Sequence, residues 1–336
     1  MAGEAVCAMG VFDGFHRGHQ FIIQQARAEA DRLGLPLIVV TFDRDPDEFF
    51  AAPQTLRKLL TNADRLALLA QGCLAPAAAV PDEVLALTFD QQLARQEPED
   101  FLNAVLSAHC QPRALFVGAD FRFGHRAAGT VADLKRWGWE HDCRPYPQQL
   151  LTHNGQTVSA TAIRDALEAG RLALANELLT RPYYVHAQVV PGRHVGHELG
   201  FPTANLVIQD SLTRPADGVY SGIVTIEDDS GGKGGKGGKG DSAIKGSGSK
   251  GASEDCAQAG GQQFRAAISV GVPATFSSTA PTIEAHLIDF EGELYGRYVT
   301  VSFHEFLRPM QRFASVEELI ATVQTNIEQA RSIPLP

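Results

Sequence analysis

The chain has 336 residues, 44% apolar and 20% charged, with 29 basic against 39 acidic side chains and a formal net charge of −10. At ~100–200 residues per domain this length suits two domains, and the composition excludes wholesale disorder. The negative balance works against non-specific binding to nucleic acid or anionic lipid, so an anionic substrate must be captured by local groups.

At its start, Met1 to Gly10 lacks a basic region followed by an apolar run. No apolar stretch reaches the ~18 residues that cross a bilayer, so a cytoplasmic protein without a membrane partner is expected. Gly10 to His19 lies where a first strand ends and a helix begins, and that helix runs from about His19 to Leu33 and stops at Gly34. Leu37 to Val40 reads as a buried parallel strand, and Arg113 to Val117 as another. Asn62 to Ala70, Glu99 to Ala108 and Thr130 to Trp137 carry helical spacing, with Asn62 and Thr130 as N-caps. Repeated β-α units predict a Rossmann-like, doubly wound parallel sheet whose ligand site lies beyond the carboxyl ends of its strands.

The pattern changes near Arg181-Pro182. Strands are expected over Tyr183–Val190, Gly218–Ile226, Phe264–Val270, Thr282–Phe290 and Tyr298–Phe303, which makes a small antiparallel β barrel. A C-terminal amphipathic helix follows, capped by Ser315 with Glu318 three residues on, and runs to about Arg331. The expected domains are therefore 1–180 and 183–336. Between two barrel strands, a Gly/Lys-rich segment at about 228–261 cannot bury apolar surface and reads as a disordered insertion. It contains no Gly-Lys-Ser or Gly-Lys-Thr, which disfavours a phosphate loop. The cysteines, Cys7, Cys73, Cys110, Cys143 and Cys256, are scattered without a C-x-x-C pair, so reduced thiols are expected rather than disulfides or zinc.

Gly10-Val11-Phe12-Asp13-Gly14-Phe15-His16-Arg17-Gly18-His19 is the informative stretch of the first half. Gly10 and Gly14 permit a tight turn, Gly18 lets backbone approach a phosphate, and His16 and His19 share one face of the first helical turn. Helix N-terminal amides and two imidazole donors make an anion site, suited to an α-phosphate that gains charge as pyrophosphate leaves. Without that context the two histidines would read as surface residues, and a zinc pair is disfavoured because no cysteine or third histidine lies close in sequence. Ser159-Ala160-Thr161-Ala162-Ile163-Arg164 follows the strand-like Gln156-Thr157-Val158. It is either a capped helix with a surface arginine, or a second phosphate element in which Ser159, Thr161 and Arg164 meet the β,γ-phosphates. In Gly118 to Gly124, Asp120, Phe121 and Phe123 either make a turn or receive a flat ring and its polar edge.

In the second half, the glycine-rich loop Gly192 to Gly196 precedes Gly200-Phe201-Pro202-Thr203-Ala204-Asn205. In extended backbone Thr203 and Asn205 point to one side and offer oxygen ligands for Mg²⁺ and a nucleotide phosphate. The apolar run Thr282 to Leu287 carries one carboxylate, Glu284, which is either an outward-facing rim residue or a general base for a hydroxyl. The strand alone favours the former.

Taken together, these motifs resemble the prokaryotic bifunctional riboflavin kinase/FAD synthetase family over essentially the whole chain. The G-x-F-D-G-x-H-x-G-H element falls on Gly10, Phe12, Asp13, Gly14, His16, Gly18 and His19, and S-S-T-x-I-R on Ser159 through Arg164. G-F-P-T-A-N is intact at Gly200–Asn205, and Leu294-Tyr295-Gly296, Leu307-Arg308 and Phe313 fit the kinase half. The resemblance implies ATP-dependent phosphorylation of riboflavin to FMN, with Glu284 as catalytic base, and adenylylation of FMN to FAD by the first domain. Mg²⁺ is implied for both steps, and self-association into a homo-oligomer stays open. Departures are Ala160 for the second serine, Arg44-Asp45-Pro46 after Thr-Phe-Asp, His197, and Val272 to Phe276. Two alternatives stand beside this expectation: a kinase with a weakened adenylylation site, and a non-catalytic flavin-binding regulator.

Overall fold

In the computed structural model, which describes residues 3–51, 55–72, 79–192, 200–227, 242–245, 261–271 and 282–335, the apolar runs of the first half become a parallel sheet. Its strands are β1 (Glu4–Met9), β2 (Leu37–Phe42), β3 (Glu83–Leu87), β4 (Gln111–Gly118) and β5 (Arg144–Gln148), in the order β3-β2-β1-β4-β5. Leu37 to Val40 is buried along its length, as strands covered on both faces require. Successive strands extend to one side of β1 and then to the other, so the sheet switches direction between β1 and β4. The crevice beyond their carboxyl ends is the expected ligand position.

Helices α1 (Arg17–Leu33), α2 (Pro46–Phe50), α3 (Asn62–Gln71), α4 (Gln91–Ala94), α5 (Pro98–Asp100), α6 (Ser107–His109) and α7 (Val131–Glu140) connect the strands. α1 stops at Gly34 as expected, where φ of 66° suits glycine and its amide bonds the Ala30 and Asp31 carbonyls. The helix expected over 99–108 is α5 and α6 joined by a wider π segment, Phe101–Leu106. Thr130 caps α7 in a reciprocal box with Asp133. The cap of α3 is Thr61 and not Asn62, because the Thr61 hydroxyl accepts the Asp64 amide while the Asn62 amide is engaged at 3.0 Å by the Glu48 carboxylate.

Further along, β6 (Thr152–His153) and β7 (Gln156–Thr157) form a two-residue ladder, followed by α8 (Ala160–Glu168) and α9 (Leu172–Leu179). The remaining strands are β8 (Tyr183–Val190), β9 (Ala204–Val207), β10 (Gly218–Glu227), β11 (Ser242–Lys245), β12 (Gly261–Gly271), β13 (Thr282–Leu287) and β14 (Tyr298–Arg308). All but β11 close an antiparallel barrel in the order β10-β12-β13-β9-β8-β14. Alternation along β12 and β13 buries Ala266, Ile268, Val270, Ile283, Ala285 and Leu287 and leaves Ala267, Ser269, Glu284 and His286 on the other, outer face. The last helix, α10 (Val316–Arg331), lies on that outer face, where Val323, Ile327 and Ala330 pack with Ala267, Ile288 and Phe201. Its cap is Ser315, as its sequence predicts.

Packing divides the chain into two units: Met1–Leu56, Leu60–Ala160 and Gly235–Cys256 in one, and Arg57–Leu59, Thr161–Gly234 and Ala257–Pro336 in the other. α9 therefore goes with the barrel, and its Asn176 amide donates to the Phe303 carbonyl at 3.0 Å and accepts from the Tyr183 amide at 2.8 Å. Inside the expected insertion, β11 pairs antiparallel with the outer strand of the first sheet, Ser242 opposite Ala86 and Lys245 opposite Glu83. These four residues are thus ordered, because an open sheet edge offers a row of backbone donors and acceptors to any extended segment. The rest, 228–241 and 246–260, lies outside the described residues.

Candidate functional site

β1 runs into Gly10, whose amide donates to the Val40 carbonyl at 3.2 Å, and the chain then takes left-handed backbone at Phe12 (φ 60°), Gly14 (φ 74°) and Phe15 (φ 41°). Such conformations cost of order 1–3 kcal/mol for residues other than glycine and persist only where packing over-determines them. Here Phe12 and Phe15 are buried, the Gln20 side chain donates to the Phe15 carbonyl at 3.0 Å, and the Leu60 amide donates to Asp13 at 3.3 Å. The loop delivers His16 as the N-cap of α1, its Nδ1 accepting the His19 amide at 3.4 Å. A neutral His16 therefore carries its proton on Nε2. The two imidazoles stack with centroids 3.6 Å apart, and Phe12 meets His19 edge-on at 5.2 Å. Gly18, expected to let backbone near a phosphate, also makes room for this ring, since a methyl there would stand 3.1 Å from His16 Cε1.

The His19 Nδ1 is buried and has no hydrogen-bond partner among the described residues. Burial, and then the charges of His16 and Arg65, hold its pKa well below the ordinary value. Protonation is thus easier in the unfolded chain, so this ring's contribution to stability is complete above pH ~6.5 and is lost as pH falls below it. Burial acts likewise on His304. In thermal melts from about pH 7.5 to 5.5, His19→Gln should lose less stability than wild type, and equal slopes would show that the ring is not desolvated.

Arg65 lies beneath this loop and is fully buried. Its Nη1 donates to the Val11 carbonyl at 3.0 Å and Thr41 Oγ1 at 2.7 Å, and its Nη2 to the Phe42 carbonyl at 2.6 Å and Asn62 Oδ1 at 3.4 Å. Burial lowers its pKa, opposed by Asp45, Asp13, Glu48 and Asp43. On the other side of the switch point, β4 ends at Gly118, where a turn from the Gly118 carbonyl to the Phe121 amide presents an exposed Asp120 and a half-buried Phe121. Phe123 stacks behind Phe121 at 5.7 Å and is a core residue against Phe101. Ser159 is half-buried just before α8, and within α8 the Arg164 guanidinium donates to Thr161 Oγ1 at 3.0 Å.

On the barrel, Asn205 of β9 stands directly opposite Glu284 of β13, which stands opposite Ser269 of β12. Direct antiparallel partners share a face, so these three half-buried polar side chains form one outward row. Thr203 immediately precedes β9. Gly192 stands against the Asn205 amide in such a way that any side chain at 192 would collide with it. Gly200 takes φ of 84°, a turn suited to glycine. His286 Nδ1 donates to the Pro202 carbonyl at 2.8 Å and its ring meets Phe201 edge-on, which ties the Gly200–Asn205 segment to β13. The Ser269 hydroxyl reaches Met310 Sδ at 3.6 Å. Hydroxyl, amide and carboxylate oxygens are a donor set for a hard divalent cation. Among the described residues no group of three or more His, Cys, Asp or Glu could hold a metal, so such a cation would also depend on ligand phosphates.

Sequence reasoning missed Arg65, Gln20, Ser269 and His286. Arg65 had a signal, since it occupies the same helical face as the buried Leu68 and Leu69, where an apolar residue belongs.

A family model for FAD synthetase matches residues 1–162, and one for riboflavin kinase matches residues 179–334. The bifunctional riboflavin kinase/FMN adenylyltransferase of Pseudomonas fluorescens is 33% identical over 98% of this chain and 93% of its own length. The protein of that name from Escherichia coli K12 is 30% identical over 97% and 91%. Among solved structures, one described as a macrolide-efflux protein from Streptococcus pneumoniae superposes with a TM-score of 0.77 at 27% identity, covering 99% of this chain and 96% of that one.

Proposed function

The chain belongs to the bifunctional riboflavin kinase/FMN adenylyltransferase family, and from that premise we propose how its residues divide the two reactions. Riboflavin and ATP give FMN and ADP, and FMN and a second ATP give FAD and pyrophosphate. The observation behind the division is that each half carries its own constellation, the stacked His16–His19 pair after β1 and the Asn205–Glu284–Ser269 row on the barrel. The functional domains we assign are 1–180 and 183–336, with α9 packing on the barrel although it precedes the second of them.

For phosphorylation, Glu284 accepts the proton of the ribityl hydroxyl as its oxygen attacks the γ-phosphorus and the bond to ADP breaks. Thr203 and Asn205 fit Mg²⁺ by their oxygen chemistry, and the ion supplies charge neutralisation to the nucleotide phosphates. Gly192 and Gly200 belong to the nucleotide site, the first by admitting the Asn205 amide. For adenylyl transfer, an FMN phosphate oxygen attacks the α-phosphorus of ATP and pyrophosphate departs. That nucleophile is already ionised, so positioning and charge stabilisation suffice. His16 and a neutral His19 donate to the α-phosphate from the frame set by Gly10, Phe12, Asp13, Gly14 and Gly18. Ser159, Thr161 and Arg164 contribute to the β,γ-phosphates, while Asp120 and Phe121, backed by Phe123, receive the flavin ring. A cytoplasmic location accords with ATP dependence and with Cys7, Cys110 and Cys143 as free, buried thiols. No helix of the described residues is long and apolar enough to cross a membrane.

An HPLC time course with riboflavin, ATP and Mg²⁺ tests this assignment: FMN should appear first and FAD after it. A stop at FMN would leave a kinase alone, and no turnover would leave a flavin-binding regulator. Replacing residues 231–251 with a short Gly-Ser turn should leave both rates within about twofold, since loop closure changes by only ~0.6 kcal/mol per doubling of length. Hydrogen exchange at the β3 amides should quicken in that variant, because β11 is removed. Loss of kinase turnover with the fold intact would instead give the insertion a part in the site.

A further inference from the structure

We propose that Arg65 is a positioning residue for adenylyl transfer, locking the peptide that opens the left-handed run Phe12–Phe15 and so fixing where His16 and His19 point. This rests on the assignment of those histidines to the transferring phosphate. A buried guanidinium is an expensive occupant of a helix face that an apolar side chain would fill without desolvation cost. Its presence is explained by a task that no apolar side chain performs. From α3, Arg65 reaches the loop after β1 and the end of β2 together, through Val11, Thr41 and Phe42. The Val11 carbonyl belongs to the peptide leading into Phe12, the first residue of the strained run.

Side-chain hydrogen bonds hold that run at both ends and in its middle. Gln20 fixes its last carbonyl and Asp13 its middle, whereas Arg65, beside the Thr41 hydroxyl that reaches the same Val11 carbonyl at 3.4 Å, fixes its entrance and ties it to the neighbouring strand. Loss of the entrance contact frees the Val11–Phe12 peptide to rotate out of the left-handed arrangement, which carries His16, and with it the stacked His19, away from the α-phosphate. Lysine would keep the charge but not the role, because a single ammonium cannot hold Val11 and Thr41 and at the same time Phe42 and Asn62, which the second nitrogen of the planar fork engages.

The test uses the full chain, in which the kinase serves as an internal control. Arg65→Lys should lower kcat for FAD formation from FMN by ~10–100-fold, the scale of a misplacement of about 1 Å, with KM for ATP within about threefold. Riboflavin phosphorylation should be unchanged. A purely structural role would instead scale FAD formation with the folded fraction, so the rate would recover on cooling well below Tm. A positioning loss persists at every temperature at which the variant is native by near-UV circular dichroism. Folded Arg65→Lys within threefold of wild type, or recovery on cooling, would overturn the proposal. If that variant does not fold, Thr41→Val removes one acceptor of the fork together with the hydroxyl's own bond to the Val11 carbonyl, and should cost ~3–10-fold in the same kcat, and a wild-type rate would overturn it equally. His19→Ala run alongside separates the cases. An unaffected His19→Ala means that the assignment of the histidines has failed, whereas a damaged His19→Ala beside an intact Arg65→Lys means that only the positioning role has.

Discussion

Glu284→Gln is expected to lower riboflavin phosphorylation by ~10²–10⁴ while leaving riboflavin binding nearly unchanged. Glutamine matches the carboxylate in size and keeps its place opposite Asn205 and Ser269, so the barrel has no reason to repack. What is lost is the ability to accept the proton of the attacking hydroxyl. FMN supplied directly should still become FAD at a near-normal rate. Steady-state assays of both half-reactions decide the matter. Phosphorylation within about threefold of wild type, worth under ~0.7 kcal/mol of barrier, would return Glu284 to an outward-facing barrel residue.

His19→Ala should cut FAD formation by ~10²–10³, the scale of removing one preorganised donor at a developing oxyanion. The cap of α1 survives the change, because His16 Nδ1 accepts the backbone amide of residue 19 and not its ring. The variant therefore removes the imidazole stacked on His16 without unravelling the helix. FMN formation should continue at its original rate. An equal fall in both activities would mean that these histidines do not belong to one reaction alone.

The sequence made legible whatever depended on neighbours along the chain. The strand-turn-helix around His16, the stop at Gly34 and the Ser315 cap each follow from a few consecutive residues. Period-two alternation also placed Glu284 outward, though not opposite Asn205, because cross-strand register depends on the closed barrel. Arg65 was hidden for a similar reason, its acceptors Val11, Thr41 and Phe42 lying 54, 24 and 23 residues away. The left-handed Phe12 and Phe15 were unreadable because nothing in a phenylalanine announces positive φ, and long-range packing imposes it. Gly18 was only partly understood, since the crowding there comes from the His16 ring, which the cap folds back over the helix.

The pairing of β11 with β3 also sets an order of events on the ribosome. Leu87 ends β3 about 155 residues before Ser242 begins β11, and at ~5–20 residues per second that gap lasts on the order of 8–30 s. The first sheet can assemble from its own five parallel strands in that interval, but the outer side of β3 stays unpaired until a segment made between two barrel strands arrives. Nascent chains in that window expose a strand that a neighbouring chain could extend, so the yield of soluble protein should depend on how quickly translation passes through the Gly/Lys-rich segment.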